Sequence, residues 1–458
     1  MKESLFDDFP PVSAKAWKQQ IQYALKGADY NKNMVYETLE GISIKPFYHA
    51  DDLQQHRLAQ PNAPETWAIG QELFVADAKR ANTKALKAIL GGAESLVCTI
   101  PSENIAIHTL IDGIDLSATT LHFKCQFLSK SYTTRLLKAT AITTPLVLHI
   151  DPIGHLARSG NWYANQATDH TTVTEILKLF KAHKNTSVLS VDGSLYQNAG
   201  APMVQQLAYA LAHAHEYLVD YGPDLFQKLT FNIAVGSNYF FEIAKIRALR
   251  LLWRTLAERY GIATDCHIMA VPSRRNKTLY ATNTNMLRTT TECMSAIIGG
   301  ANTVCNTPYD AIYHKTNVFG ERSARNQLLL LKHESHFDQI AQAAEGAYYI
   351  ETLTHQLAQK ALELFKSIEA SGGFLEQLKN GIIQRKINES AQKEQQLFDT
   401  RNEILVGTNA FQKPSETVKH TLELYPFVKT KPRKTLIVPI IPKRLAEVME
   451  QERLKGEQ

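Results

Sequence analysis

The sequence contains no stretch of about 18 consecutive apolar residues, so nothing in it reads as a membrane span. Its N-terminus, MKESLFDDFPPVSAKAW, lacks an apolar core and carries acidic residues early, which argues against a secretory signal. Cysteine is sparse. Cys98, Cys125, Cys266, Cys293 and Cys305 are odd in number and form no C-x-x-C pair, which excludes a disulfide framework or a zinc ribbon. Small buried thiols in a reducing, cytoplasmic compartment are the expectation. A strong charge bias is missing as well. The net charge is +5 and the basic residues are scattered, so nucleic acid is not an expected partner. Neither G-x-G-x-x-G nor G-x-x-x-x-G-K-[ST] occurs, so the phosphate turn of an open nucleotide-binding sheet is absent.

What is present is alternation. The helical run Asp77 to Leu90 ends at Gly91-Gly92 and is followed by the apolar run Ser95–Ile100. Further strand-like runs are His122–Leu128, Leu146–Asp151, Val188–Asp192, Leu229–Val235, Cys266–Val271 and Thr303–Asn306. Helical patterns lie between most of them. In Ala201–Leu218, residues Val204, Leu207, Leu211 and Leu218 share one face. Strand followed by helix, repeated about eight times over roughly 300 residues, predicts a parallel sheet closed as a (β/α)8 TIM-type barrel. An internal echo supports repeated units: Ala88–Thr99 and Ala296–Thr307 both read as helix end, double glycine and strand start. The first glycine of each pair is expected to take the left-handed cap.

Residues 1–40 read as an N-terminal arm with a helix over Ser13–Lys26, and residues 41–350 as the barrel. The run Gly41–Tyr48 alternates like a strand. Residues 351–425 read as a helical extension, broken at Gly372-Gly373 and Gly381, and 426–458 as a linker-like tail.

Candidate chemistry is thin. His333-Glu-Ser-His336 has the wrong spacing for a zincin helix, which needs histidines at i and i+4. His213 and His215 point apart on a helix and cannot chelate one ion. Asp151 and His155 follow an apolar strand, where a barrel could place a base and its orienter. Asp192, Ser194, Gln197 and Asn198 would crowd the barrel mouth as a binding loop, or serve as ordinary strand–helix turn chemistry, with Gly193 and Gly200 permitting close backbone approach. Thr99, Ser190, Asn232 and Asn306 would suit a polar axis lining for a threaded ligand, or else point outward.

Several stretches, in order along nearly the whole chain, resemble the methylmalonyl-CoA mutase family. They are Gly41-Ile-Ser-Ile-Lys-Pro-Phe-Tyr48, Ala85–Ala93, Ala248–Trp253, Asn285–Thr290, Ile298–Ala301, Arg322–Asn326, Gly346–Thr354, Ile368–Gly373, Ser390-Ala391 and Val406–Asn409. The resemblance implies a barrel that threads coenzyme A along its axis. A cobalamin-binding domain and radical interconversion of succinyl-CoA and methylmalonyl-CoA come with it.

Three departures matter. The sequence stops after a linker-like run, Lys443–Glu450, and the D-x-H-x-x-G signature is nowhere complete, so no cobalamin-binding domain is expected here. Its nearest match, Asp265-Cys-His-Ile-Met-Ala270, lies in a strand pattern. The family stretch S-G-Y-H-M-Q-E-A-G-A matches Asp192–Ala201, with Ser194 at the tyrosine and Leu195 at the acid-donor histidine. The family stretch Y-A-T-R-P-W-T-I-R-Q-Y matches Glu65–Glu72 around Trp67, without its tyrosine or arginines. These losses resemble the small (beta), non-catalytic subunit of the heterodimeric bacterial members. No residue of this chain is therefore assigned as catalytic, cofactor-binding or metal-ligating. The expected partner is a large catalytic subunit carrying adenosylcobalamin and the acyl-CoA substrate. Two alternatives stand: a substrate-binding subunit of a split cobalamin-dependent acyl-CoA mutase, and a non-enzymatic acyl-CoA-binding module.

Overall fold

A computed structural model of the chain describes residues 8–9, 11–53, 64–429 and 432–457. The first seven residues, part of the N-terminal reading above, lie outside these. The strands are β1 (Ala68–Phe74), β2 (Ser95–Ile100), β3 (Thr120–Cys125), β4 (Leu146–Ile150), β5 (Thr186–Asp192), β6 (Leu229–Val235), β7 (His267–Pro272) and β8 (Thr303–Cys305). All pair in parallel, and β8 pairs with both β7 and β1, so the sheet is a closed barrel. The expected (β/α)8 architecture is what forms. β1 escaped the sequence reading because Gly70 and Gln71 break its apolar pattern.

The helices that follow the strands are α1 (Ala78–Leu90), α2 (Ile107–Ile111), α3 (Lys130–Ala139), α4 (Pro152–Ser159), α5 (Gln166–Leu179), α6 (Ser194–Asn198), α7 (Met203–Tyr221), α8 (Tyr239–Arg259), α9 (Thr284–Gly299) and α10 (Val318–Leu329). After the barrel come α11 (Tyr348–Ala370), α12 (Phe374–Lys379), α13 (Ile382–Asp399) and α14 (Glu447–Lys455). Side chains alternate in a strand, so each strand gives one face to the helices and one to the axis. The main apolar cores lie between strands and helices. One lies under α7, α8 and α11, and the other under the helices of the first half-barrel. A small separate cluster, Val97, Met269 and Cys305, fills part of the axis.

The two double-glycine corners do repeat, with one correction. The second glycine, not the first, has the left-handed backbone: Gly92 at φ +94° and Gly300 at φ +91°. The first is glycine because of close packing. A Cβ on Gly91 would meet the Arg325 guanidinium at 2.7 Å, and one on Gly299 would meet Ile246 at 3.0 Å.

The N-terminal helix spans Ala14–Ala24, with the Ser13 hydroxyl accepting from Ala16 N, and buries none of its residues. The strand expected over 41–48 shrinks to Ser43–Ile44, paired with Tyr36–Glu37. Pro46 supplies no N–H with which to extend it. At the turn of this hairpin Glu40 accepts from Met203 N at 2.7 Å and Val204 N at 2.8 Å, capping α7 across the molecule. Among the described residues no helix is long and apolar enough to cross a membrane.

Candidate functional site

In such barrels function sits at the C-terminal ends of the strands. Asp151 follows β4 and begins α4, where its Oδ1 accepts from Gly154 N at 2.9 Å. The same carboxylate accepts from Tyr217 Oη at 2.6 Å and Asp192 N at 3.0 Å, and pairs with His213 Nε2 at 2.9 Å. The other ring nitrogen of His213, Nδ1, lies 2.9 Å from Tyr196 Oη. Phe374 stacks flat on the imidazole, 5.3 Å between centroids. His213, Tyr196 and Tyr217 have no exposed surface. Burial alone would raise the Asp151 pKa, but His213, Tyr217 and the Gly154 amide hold it down at about 2. The cluster is buried, and both oxygens of the carboxylate are engaged, Oδ1 by Gly154, Tyr217 and His213 and Oδ2 by Asp192 N.

The expected Asp151–His155 pairing does not occur. His155 stacks on Tyr163 at 3.7 Å instead. Burial, with Arg158 nearby, pushes its pKa down to about 4. The histidine that Asp151 does engage is His213, which the sequence reading had set aside. His215 points away from it, to Glu369 at 2.7 Å and Tyr260 at 2.9 Å. His333 and His336 are exposed, and no metal-holding cluster exists among the described residues.

The Asp192–Ala201 loop is a staple. Asp192 is held by Arg158 and by the Ser194 hydroxyl, each at 2.5 Å. Gln197 Oε1 accepts from Ser273 Oγ at 2.8 Å, and Asn198 Oδ1 from Arg274 N at 2.8 Å. These bonds tie the ends of β5 and β7 together. Leu195 is 3 % exposed and lies in the apolar core between the strands and α7, with no polar atom to offer a ligand. A cavity of about 340 Å³ lies beside this loop, under the N-terminal hairpin, lined among others by Glu40, Gln197, Gly236 and Ser273.

The axis holds residues that the sequence reading missed. His122 Nδ1 and His149 Nε2 share a hydrogen bond at 3.0 Å, and His149 Nδ1 lies 2.9 Å from Asn232 Nδ2. His267 is 5.9 Å from His122 between ring centroids and bonds Thr303 Oγ1 at 3.3 Å. Since Asn232 faces the axis, Thr230 does too, as does its ladder partner Ser190. Thr99 pairs with Lys124 and faces inward near the mouth. Asn306 does not line the axis. It lies beyond β8 and donates to Ala324 O and Gln327 Oε1. The missed signal was a histidine between two core residues in three strands: Leu121-His122-Phe123, Leu148-His149-Ile150 and Cys266-His267-Ile268. Their apolar neighbours face the helices, which turns each histidine inward.

A cobalamin ligand would need an accessible imidazole. The near-match around His267 does not fit, because that ring sits inside β7 and Asp265 is bound to Arg250 at 2.7 Å. Trp67 begins β1 at the opposite, N-terminal end of the barrel, where its Nε1 donates to Phe337 O and Lys332 lies over its ring.

Fold and site together define a closed α/β barrel whose mouth residues Asp151, Asp192, Gln197 and Asn198 are each engaged with other groups of the chain. The family description "Methylmalonyl-CoA mutase" matches residues 103–437. A methylmalonyl-CoA mutase small subunit of Porphyromonas gingivalis is 34 % identical over 449 residues, covering 90 % of this chain and 71 % of its own. The small subunit of Streptomyces virginiae is 29 % identical over 450 residues, covering 89 % and 72 %. The large subunit of Porphyromonas gingivalis is 30 % identical over 247 residues, covering 52 % and 34 %. The chain belongs to the methylmalonyl-CoA mutase family.

Proposed function

We propose that this chain is the small subunit of a heterodimeric methylmalonyl-CoA mutase, that it is catalytically silent, and that it supports a large subunit. The observation that carries the silence is the closed axis. An acyl-CoA threaded along it would meet buried His122, Asn232 and Met269 and half-buried His149 packed across the middle of the barrel. Leu195 adds to this. It occupies the place that the family resemblance gives to the acid-donor histidine, and its side chain is in the core. Chemistry on a migrating thioester needs positioned donors, and among the described residues none converge at Leu195.

Support for the partner role comes from the relatives, which include small and large subunits of one organism. Adenosylcobalamin and the acyl-CoA substrate then belong to the large subunit. Residues 1–40 act as an arm on that partner. The N-terminal helix has no fully buried residue, touches its own chain through the stacking of Trp17 on Phe47 at 4.4 Å, and leaves Tyr23 and most of its surface exposed. Such a helix gains stability only when its apolar side meets another surface.

Co-expression with a large subunit tests the reading. Both chains are expected to purify together, and a chain lacking residues 1–34 is expected to lose most of the association. Unchanged co-purification of the truncated chain would remove the arm from the interface. Calorimetric binding of succinyl-CoA to the isolated chain would overturn the closed axis and favour an acyl-CoA-binding module.

A further inference from the structure

The barrel wall is not uniform. Between β3 and β4 the ladder runs only from Leu121–Leu146 to Phe123–Leu148. Between β4 and β5 the register shifts between Val147 and Ile150. His149 falls in both gaps and has no partner in either ladder. Its backbone lies where both neighbouring ladders are interrupted, and its side chain reaches across the axis.

That side chain is fastened by two hydrogen bonds and lies nearly parallel to the His122 ring, 5.2 Å between centroids. Asn232 on β6 reaches one nitrogen and His122 on β3 reaches the other. A nitrogen–nitrogen contact of 3.0 Å needs one N–H and one lone pair, so the imidazole pair shares a single proton across it. His122 has no exposed surface, and its Nε2 has no hydrogen-bond partner. With Asn232 Nδ2 donating to His149 Nδ1, His149 donates from Nε2 to His122 Nδ1, and the proton of His122 lies on Nε2, buried and without a partner; a further proton would have to enter on a nitrogen that now accepts, breaking one of these bonds. A second, on His149, would set two positive rings against each other.

The groups facing the pair offer no relief. From β3 comes Lys124, and from β7 comes His267, itself near Arg250 of α8. From β8 comes Cys305, and β2 brings only Val97 and Thr99. The two acids toward the mouth are already engaged, Glu72 with Lys124 at 3.4 Å and Asp192 with Arg158 at 2.5 Å.

We propose that the His122–His149 pair is a pH-sensitive fastening of the barrel wall: uncharged, it clamps the interrupted seam around β4, and on taking up protons it releases that strand. The direction of its titration agrees. Burial, then the neighbouring positive groups, holds both histidines well below the usual range, and His267 at about 4. A histidine lowered on folding stabilises fully above its unfolded value of about 6.5 and loses that contribution as pH falls below it. The clamp is therefore closed at neutral pH and weakens progressively as pH falls below about 6.5.

Hydrogen exchange on the full chain tests this, with rates corrected for the intrinsic effect of pH. Between pH 7 and pH 5 the protection of the Val147–Asp151 amides is expected to fall at least about tenfold more than that of Leu229–Val235. In the doubly substituted His122→Gln, His149→Gln chain the excess loss at β4 should vanish. An equal loss in both chains, or one spread evenly round the barrel, would overturn the proposal. Should the double variant fail to fold, the histidine ring protons of the unsubstituted chain decide. Titration of His122 and His149 together with the loss of β4 protection supports the clamp. Titration near pH 6.5 with β4 intact, or β4 protection unchanged down to pH 4, overturns it.

Discussion

Asp151 and Asp192 follow or end adjacent barrel strands, yet they live in different worlds. Asp151 is 8 % exposed and accepts from backbone and side-chain donors on α4, α7 and the end of β5. Asp192 sits at the mouth, where its side chain and that of its partner Arg158 remain 25 % and 48 % exposed. The same residue type thus holds a sealed core together in one place and closes a solvated loop in the other. A barrel mouth can carry carboxylates, imidazoles and hydroxyls and still assemble no reactive centre, because what counts is whether they converge on free space.

The sharpest way to break this contrast is substitution of the two aspartates. Asp151→Ala would leave Tyr217, His213 and two amides without an acceptor. By urea unfolding it should cost about 3–5 kcal/mol, the range for a buried charge cluster that loses one member. A cost under about 1 kcal/mol would show that the cluster does not hold the shell. Because the Asp151 pKa is lowered to about 2, its contribution is present above the unfolded value of about 3.9 and disappears as pH falls through 2. Acid unfolding profiles of the Asp151→Asn chain should therefore lose their steep limb in that window.

Next in size is Leu195→His. If Leu195 were only a decayed catalytic position, histidine would improve the chain. Its burial says otherwise: the substitution should destabilise by about 1–3 kcal/mol, the usual range for a core polar group lacking a partner, and confer no isomerisation on the isolated chain. Gly299→Ala should cost about 1–3 kcal/mol through overpacking against Ile246, measurable as a lower urea midpoint. Asp192→Asn should be smallest, under about 1 kcal/mol, because a half-exposed ion pair is worth little. A larger loss than that of Asp151→Ala would invert the comparison.

The barrel was legible because its evidence is periodic. Apolar strands such as Leu229–Val235 and glycine corners such as Gly299-Gly300 announce themselves in a single sequence. β1 was not, since Gly70 sits where the wall approaches Cys305 and gives no apolar signal. For the site, the sequence offered only departures from the family stretches, at Leu195 and around Trp67, and these enter the proposed function rather than the observed geometry. What joins Asp151 to His213, or His122 to His149, is contact across tens of residues, and spacing along the chain carries none of it. Asp151 and His155 were a natural pair on spacing, but the first turn of α4 turns His155 toward Tyr163. The glycine corners were read in the right place with the roles of the two glycines exchanged, because a close approach by Arg325 or Ile246 cannot be seen locally.

Reconstitution tests the central claim most directly. This chain, a mutase large subunit, and the two mixed are each supplied with adenosylcobalamin and succinyl-CoA, and methylmalonyl-CoA formation is followed. The expected result is no turnover by this chain alone and turnover by the mixture that survives Asp192→Asn. Sustained turnover by this chain without the large subunit would contradict it.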